Sequence, residues 1–250
     1  MKLMSPKPKP PEASRLPVTH PDFRYPPSRN PYWKKVPLLT QRIHADNDAE
    51  IRRGRWLSDA FPQPQKGPLH VELGANAGHV TVEWAARNPS QAYIGLDWKI
   101  KAAVRAAEKG AKRDLPNLTF IRANAARLQY LFAPGEVDFL YLYFPDPWPK
   151  KAQWKNRFLT EENLRRIAPL LSKGGVFHIK TDHDGYFDWM LEAISKVSDV
   201  LEPFELTRDL HSRNPSPDKL EIPDVTLFEK LFIRDGIKIK SVKLRHTHKG

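Results

Sequence analysis

At 250 residues, 40% of them hydrophobic, the chain is long enough for one large domain with a core of ordinary size. A formal net charge of +12 points to a polyanionic partner, with nucleic acid ahead of a membrane surface. The absence of cysteine excludes a disulfide framework and a thiolate zinc site and suits a reducing compartment; no apolar run reaches membrane-spanning length, and the Lys- and Pro-containing N-terminus lacks the apolar core of a secretory signal.

Residues 1–40 hold ten of the 24 prolines, which deny the segment both helix and central strand. This predicts a flexible basic arm over 1–40 and a single domain over 41–250. In the arm, Tyr25, Tyr32 and Trp33 interleave with Arg24, Arg29, Lys34 and Lys35. Such a mix either stacks on and neutralises RNA or pins the arm to the domain. Arg52, Arg53 and Arg55, with Trp56 and Leu57 as anchors, read as a short helix or turn. Residues 69–73 then read as a buried strand, followed by Gly74-Ala-Asn-Ala-Gly78 and a helix to Arg87, which Asn88-Pro89 ends. Strands over 92–96, 118–122, 137–144 and 176–180 alternate with helices over 101–113, 160–171 and 184–197. That alternation predicts a doubly wound α/β fold, mostly parallel, with helices on both faces of the sheet. The segment 230–250 carries seven Lys or Arg against one acid, and reads as a solvated edge or a second RNA contact. The nine histidines show no ligand spacing, so no metal site is expected, and His178 is expected to face a neighbouring helix.

The fourth strand runs into Phe144-Pro-Asp-Pro-Trp-Pro-Lys150. Prolines at 145, 147 and 149 cannot donate to a ladder and push their predecessors toward extended backbone, so the strand stops and Asp146 sits on a stiff loop. Lys150, Lys151, Lys155 and Arg157 follow it. Glu72, Asp97, Asn124, Asp146 and Asp182 each stand at or just past a strand's C-terminal end, and in a doubly wound sheet those ends share one crevice. A lone acid there is usually a turn former or cap; four acids and an amide, with a glycine turn, favour a site. Gly74-x-x-x-Gly78 is not a full dinucleotide fingerprint, and Asn76 is a residue that tolerates positive φ. No P-loop lysine follows. Asp97 lies 23 residues after Gly74, a spacing that suits a ribose diol in a dinucleotide or in S-adenosylmethionine. Glu72 sets a negative charge where a pyrophosphate would lie, which fits a ligand with a cationic part.

Val71-Glu-Leu-Gly-x-x-x-Gly78, Phe144-Pro-Asp-Pro-Trp-Pro-Lys-Lys151, Lys155-x-Arg157, Gly174-Gly-x-x-x-x-Lys180-Thr-Asp182 with Tyr186, and Val225-Thr-x-Phe-Glu-Lys230 occur in that order. Together they resemble the tRNA (guanine-N(7)-)-methyltransferases of the bacterial single-chain type, over about residues 69–239. The resemblance implies a Rossmann-like S-adenosylmethionine methyltransferase fold, a cytoplasmic enzyme and tRNA as partner, and leaves monomer or homodimer open. It assigns Glu72, Gly74, Gly78, Asp97, Asn124 and Asp146 to S-adenosylmethionine, with Asp146 also catalytic. It assigns Lys150, Asp182, Thr226 and Glu229 to the substrate guanosine, and Lys151, Lys155 and Arg157 to RNA. Asn124 stands where the family often has Asp, and Ala152-Gln-Trp154 replaces part of its basic run. Thr226-x-x-Glu229 is also the pattern of a helix capping box. Three other readings compete. A non-catalytic RNA-binding module would shed the strand-end acids, a nicotinamide oxidoreductase would want the full glycine fingerprint, and an enzyme of spermidine-synthase type would take a polycationic substrate that the basic charge repels.

Overall fold

A computed structural model of the chain describes residues 12–214, 216, 219–221 and 225–247. The sheet has eight strands: β1 (Ile43–Ala45), β2 (Leu69–Leu73), β3 (Ala92–Asp97), β4 (Leu118–Arg122), β5 (Val137–Tyr143), β6 (Leu171–Thr181), β7 (Leu201–Thr207) and β8 (Lys240–His246). Their spatial order is β1-β4-β3-β2-β5-β6-β8-β7. The first six run parallel; β8 pairs antiparallel with both β6 and β7. The order reverses between β2 and β5, the switch point at which open α/β sheets leave a crevice.

The central strands are buried on both faces, as a parallel sheet requires; β2 is buried at all five positions. Helices α3 (His79–Arg87) and α4 (Ile100–Lys112) cover one face over β3 and β4. Apolar and small residues of α4, from Ile100 to Gly110, bury against Tyr93, Leu118 and Phe120. The opposite face meets α5 (Leu128–Leu131), α6 (Glu161–Ile167) and α7 (Asp184–Ser195), whose Phe187, Met190 and Ile194 enter the larger core. Thr160 caps α6 by accepting from the Asn163 N–H at 3.2 Å. The predicted strands and long helices all appear, within a few residues at their ends.

Three strands lie outside the sequence reading. β1 extends the sheet past β4, followed by the one-turn helices α1 (Asn47–Glu50) and α2 (Trp56–Asp59). β7 carries Pro203 and is tolerated because it forms the sheet's outer edge. The basic segment from 240 is not a solvated edge: β8 is an interior strand, with Val242 and Leu244 fully buried. The Lys240 ammonium, 4% exposed, is satisfied by the Asp184 carboxylate and the carbonyls of Asp182 and Lys238, at 2.9–3.0 Å. Charge counting cannot see a strand whose cations are individually partnered.

The expected flexible arm divides at Glu12. Residues 1–11 lie outside the described residues, whereas 12–40 follow the domain surface through two 3-10 turns, Glu12–Arg15 and Pro31–Leu38. Arg127, 0% exposed, explains this attachment. Its guanidinium donates to the carbonyls of Val18 and His20, at 2.6 and 2.9 Å, while Glu50 on α1 neutralises it. Phe23 packs over the same guanidinium.

Candidate active site

The parallel strands end along one edge, and β2, β3 and β4 stop in register there: Leu73 pairs with Leu96, and Asp97 with Arg122. Beyond β2 the chain turns through Gly74 (φ 73), Asn76 (φ 48) and Gly78 (φ 69). Gly74 has open space where a Cβ would stand, so the turn leaves the cleft unobstructed. At Gly78 a Cβ would lie 2.8 Å from Ala106, so only glycine lets α3 start this close to α4. Asn76 adopts the positive φ its residue type permits, and its N–H donates to Asp97 Oδ2 at 2.9 Å. Asp97 Oδ1 accepts from the Lys99 N–H at 2.8 Å. Both Asp97 oxygens are thus oriented by backbone, each with lone-pair capacity left toward the cleft.

Asn124 begins a 3-10 turn: its Oδ1 accepts from the Ala126 N–H at 2.9 Å, and its own N–H donates to the Tyr25 hydroxyl at 2.8 Å. Gly74, Asp97, Trp98, Asn124 and Ala125 line an open cleft of about 300 Å³. A neighbouring cavity of about 840 Å³ shares Trp98 and Asn124 and is walled on its far side by Tyr25 to Asn30. Tyr25 stacks beneath Arg122, and the Asp46 carboxylate neutralises that guanidinium. The aromatics of the arm therefore pin it to the domain and help wall the cleft.

Glu72 is not in the cleft lining. It lies under it, 7% exposed, accepting a short hydrogen bond from the Thr81 hydroxyl on α3. Burial pushes its carboxyl up to about 7; the Thr81 bonds oppose the rise and the Asp97 charge adds to it.

The other half of the edge lies past β5 and β6. The 144–150 loop carries two non-glycine residues at positive φ, Phe144 (54°) and Trp148 (43°), two positions either side of Asp146. Such backbone persists only where its surroundings over-determine it. The Phe144 N–H donates to the Lys180 carbonyl at 2.8 Å, and its ring packs on Phe232 of α8 (Leu227–Arg234), 5.4 Å between centroids. Asp146 itself is exposed, and no hydrogen bond or ion pair to its carboxylate is present among the described residues. Lys150, Lys151 and Lys155 are exposed on the same side. Asp182 is half-buried at the end of β6.

Two expected placements are corrected, those of Arg157 and His178, and the Thr226-x-x-Glu229 pattern forms its helix cap. Arg157 is 3% exposed and cannot lie along a phosphate chain; aromatic rings enclose it beneath the loop. Thr226 and Glu229 form a capping box, with Thr226 Oγ1 accepting from the Glu229 N–H at 3.0 Å and Glu229 Oε2 from the Thr226 N–H at 2.8 Å. The remaining Glu229 oxygen takes Lys180 Nζ at 2.9 Å and His211 Nε2 at 3.2 Å. At 0% exposure this carboxylate is a buried hub. Burial alone would raise its pKa; His211, Lys180 and the Thr226 amide outweigh that and hold it at about 2. His178 sits between Tyr143 and Ser241 on the flanking strands, 2.9 Å from each hydroxyl, not against a helix. No group of metal-ligating side chains occurs among the described residues.

A family model described as "Putative methyltransferase" matches residues 66–242. A tRNA (guanine-N(7)-)-methyltransferase of Bdellovibrio bacteriovorus is 33% identical over 200 residues, covering 79% of this chain and 91% of its own length. Its counterpart in Geobacillus kaustophilus is 33% identical over 211 residues, covering 84% and 93%. The chain belongs to the tRNA (guanine-N(7)-)-methyltransferases. Among solved structures, the antibiotic-resistance methyltransferase Kmr superposes with a TM-score of 0.53 at 14% identity, over 73% of this chain and 88% of that one. That likeness shows a shared Rossmann-like methyltransferase fold.

For a member of the tRNA (guanine-N(7)-)-methyltransferases, the cleft chemistry fits a sulfonium donor. Asp97 offers two fixed acceptors, suited to a ribose diol; the Asn124 amide nitrogen has donors to spare; and Glu72 sets a buried carboxyl beneath the cleft floor. The sequence reading missed Thr81, Arg127 and His211. A Thr in the first turn of a helix or an Arg in a polar stretch carries no local signal; only the fold brings each to its partner.

Proposed function

We propose that this tRNA (guanine-N(7)-)-methyltransferase transfers a methyl group from S-adenosylmethionine to N7 of a guanine in tRNA, forming 7-methylguanosine. The observation that carries the reading is the edge itself. A pre-oriented acidic cleft lies on one side of an exposed Asp146 on a strained loop, and exposed lysines lie on the other. Asp97, Asn124 and the Gly74 turn would hold the donor, which would present a methyl carbon on cationic sulfur; the N7–carbon bond would form as the carbon–sulfur bond breaks and the neutral thioether leaves, with no proton lost from the nucleophile. The chain's task is alignment, which contributes several kcal/mol of the barrier. The positive charge that develops on the guanine is stabilised by the Asp146 carboxylate. Asp182 meets the N–H edge of the base, which must be splayed out of its stack to enter. Lys150, Lys151 and Lys155 take the flanking phosphates, so binding weakens as salt rises. A cytoplasmic place of work follows from the substrate, and residues 41–250 form the catalytic domain with 12–40 as its attached wall.

Transfer of labelled methyl from S-adenosylmethionine to unmodified tRNA, followed by nucleoside analysis, tests this. The expected product is 7-methylguanosine, with transfer lost in Asp146→Ala and the KM for tRNA raised in Lys150→Ala. A parent protein that binds tRNA but labels no guanine would establish the non-catalytic RNA-binding module instead.

A further inference from the structure

Arg157 is a buried cation with an unusual set of neighbours. Its guanidinium lies 4.5 Å from the ring centroid of Trp154, 4.9 Å from Tyr186 and 5.0 Å from Trp189. No carboxylate pairs with it among the described residues. A guanidinium taken out of water in this way is costly unless its N–H groups are used. Two of them are aimed at the loop: Nε donates to the Pro147 carbonyl at 2.9 Å, and Nη2 makes a longer 3.5 Å contact with the Trp148 carbonyl. Nη1 is buried without a partner. The loop needs such a clamp, because Trp148 is held at positive φ and the Asp146 side chain anchors nothing. The position of Asp146 is therefore set through its backbone, and the carbonyl next along the chain is the one Arg157 holds. Asp146 lies close enough that its charge, behind the larger effect of burial, helps raise the Tyr186 phenol to about 12.

We infer that Arg157 is the positioning residue of Asp146: caged by three aromatic rings, it clamps the Pro147 and Trp148 carbonyls and so fixes where the carboxylate stands. It does not touch RNA. The inference rests on the methyl-transfer reading for its kinetic consequence but not for its structural one. A lysine cannot replace it, since a single ammonium lacks the planar fork that spans two carbonyls.

The test compares Arg157→Lys and Arg157→Gln with the parent. Both variants are expected to lose at least about 10-fold in kcat, while the KM for tRNA, the affinity for S-adenosylmethionine and the salt slope of tRNA binding stay within about 2-fold. In a double-mutant cycle, Asp146→Asn with Arg157→Gln is expected to be no slower than Asp146→Asn alone, because one residue acts through the other. Amide exchange at Asp146 and Trp148 is expected to quicken at least about 10-fold in Arg157→Gln, whatever the substrate proves to be. Unchanged exchange at those two amides overturns the inference even if no methyl transfer is found. An unchanged kcat with a raised KM and a shallower salt slope overturns it in favour of a phosphate contact. Additive losses in the cycle overturn it in favour of a general structural role.

Discussion

The donor side and the acceptor side of the strand edge are built differently. On the donor side, positions are set by local backbone: Asp97 is held by N–H groups of Asn76 and Lys99, and Asn124 by Ala126 two residues on. On the acceptor side they are set by buried charges from distant parts of the chain. Lys180, His211 and Glu229 converge from β6, the segment after β7 and α8, and Arg157 reaches back under the 144–150 loop. Turn chemistry makes a site that is complete as soon as the strands pair. Buried ion clusters make one that holds only while every partner is present, since removing one member strands the rest in low dielectric. The donor half should therefore answer mutation with graded losses in affinity, and the acceptor half with losses in turnover or stability.

The sharpest break comes from Asp146→Asn. It should lower kcat by about 10³-fold with S-adenosylmethionine affinity unchanged, read by single-turnover transfer beside calorimetric titration. Affinity that fell with the rate would move Asp146 to the donor half. Glu229→Gln should come next, destabilising the fold by about 3 kcal/mol in urea denaturation while leaving the donor cleft's affinity intact. The pH dependence has a definite sign. With its folded pKa held at about 2, below the usual value of 4.5, Glu229 stabilises the fold above the latter, and that stability is lost as pH falls from 4.5 toward 2. Glu229→Gln should flatten the acid limb of the parent's stability curve.

Glu72 tests the donor half with the opposite sign. Its carboxyl is raised from 4.5 to about 7, so the unliganded fold loses this group's contribution as pH rises through that window. A cationic donor favours the ionised form, so affinity should climb up to about 10-fold between pH 6 and 8 and level off in Glu72→Gln. A flat profile in the parent would remove Glu72 from donor recognition. The smallest effect is Tyr25→Phe, which deprives the Asn124 N–H of its acceptor. A loss of about 1 kcal/mol, or about 5-fold in donor affinity, is expected without change in kcat. No change would detach the N-terminal segment from the donor half.

Much of this division was legible in the sequence. Period-two and helical runs, broken at glycine and proline, carried the order of strands and helices from Leu69 to Ser195, and with it the convergence of strand-end acids on one edge. The triple-proline block announced a rigid loop, and Asn76 announced a positive φ. β8 was missed because the charges of 240–246 mask an alternating pattern with a buried apolar pair at Val242 and Leu244. β1 was missed because three residues are too few to show a period. Arg157 was misread for the same reason in reverse: a basic run looks the same whether its members face solvent or a cage of rings.

By itself, then, the sequence determined the parallel core, the strand-end placement of its acids and the family, since each depends on motifs local in the chain. Only the tertiary structure decided which cations are free for RNA and which are spent inside. It placed Lys150, Lys151 and Lys155 outside, and enclosed Lys180, Arg127 and Arg157 within. The physical reason is desolvation: the use a charged side chain has depends on partners the fold brings to it, 49 residues away for Lys180 and up to 109 for Arg127, and local spacing carries no record of them.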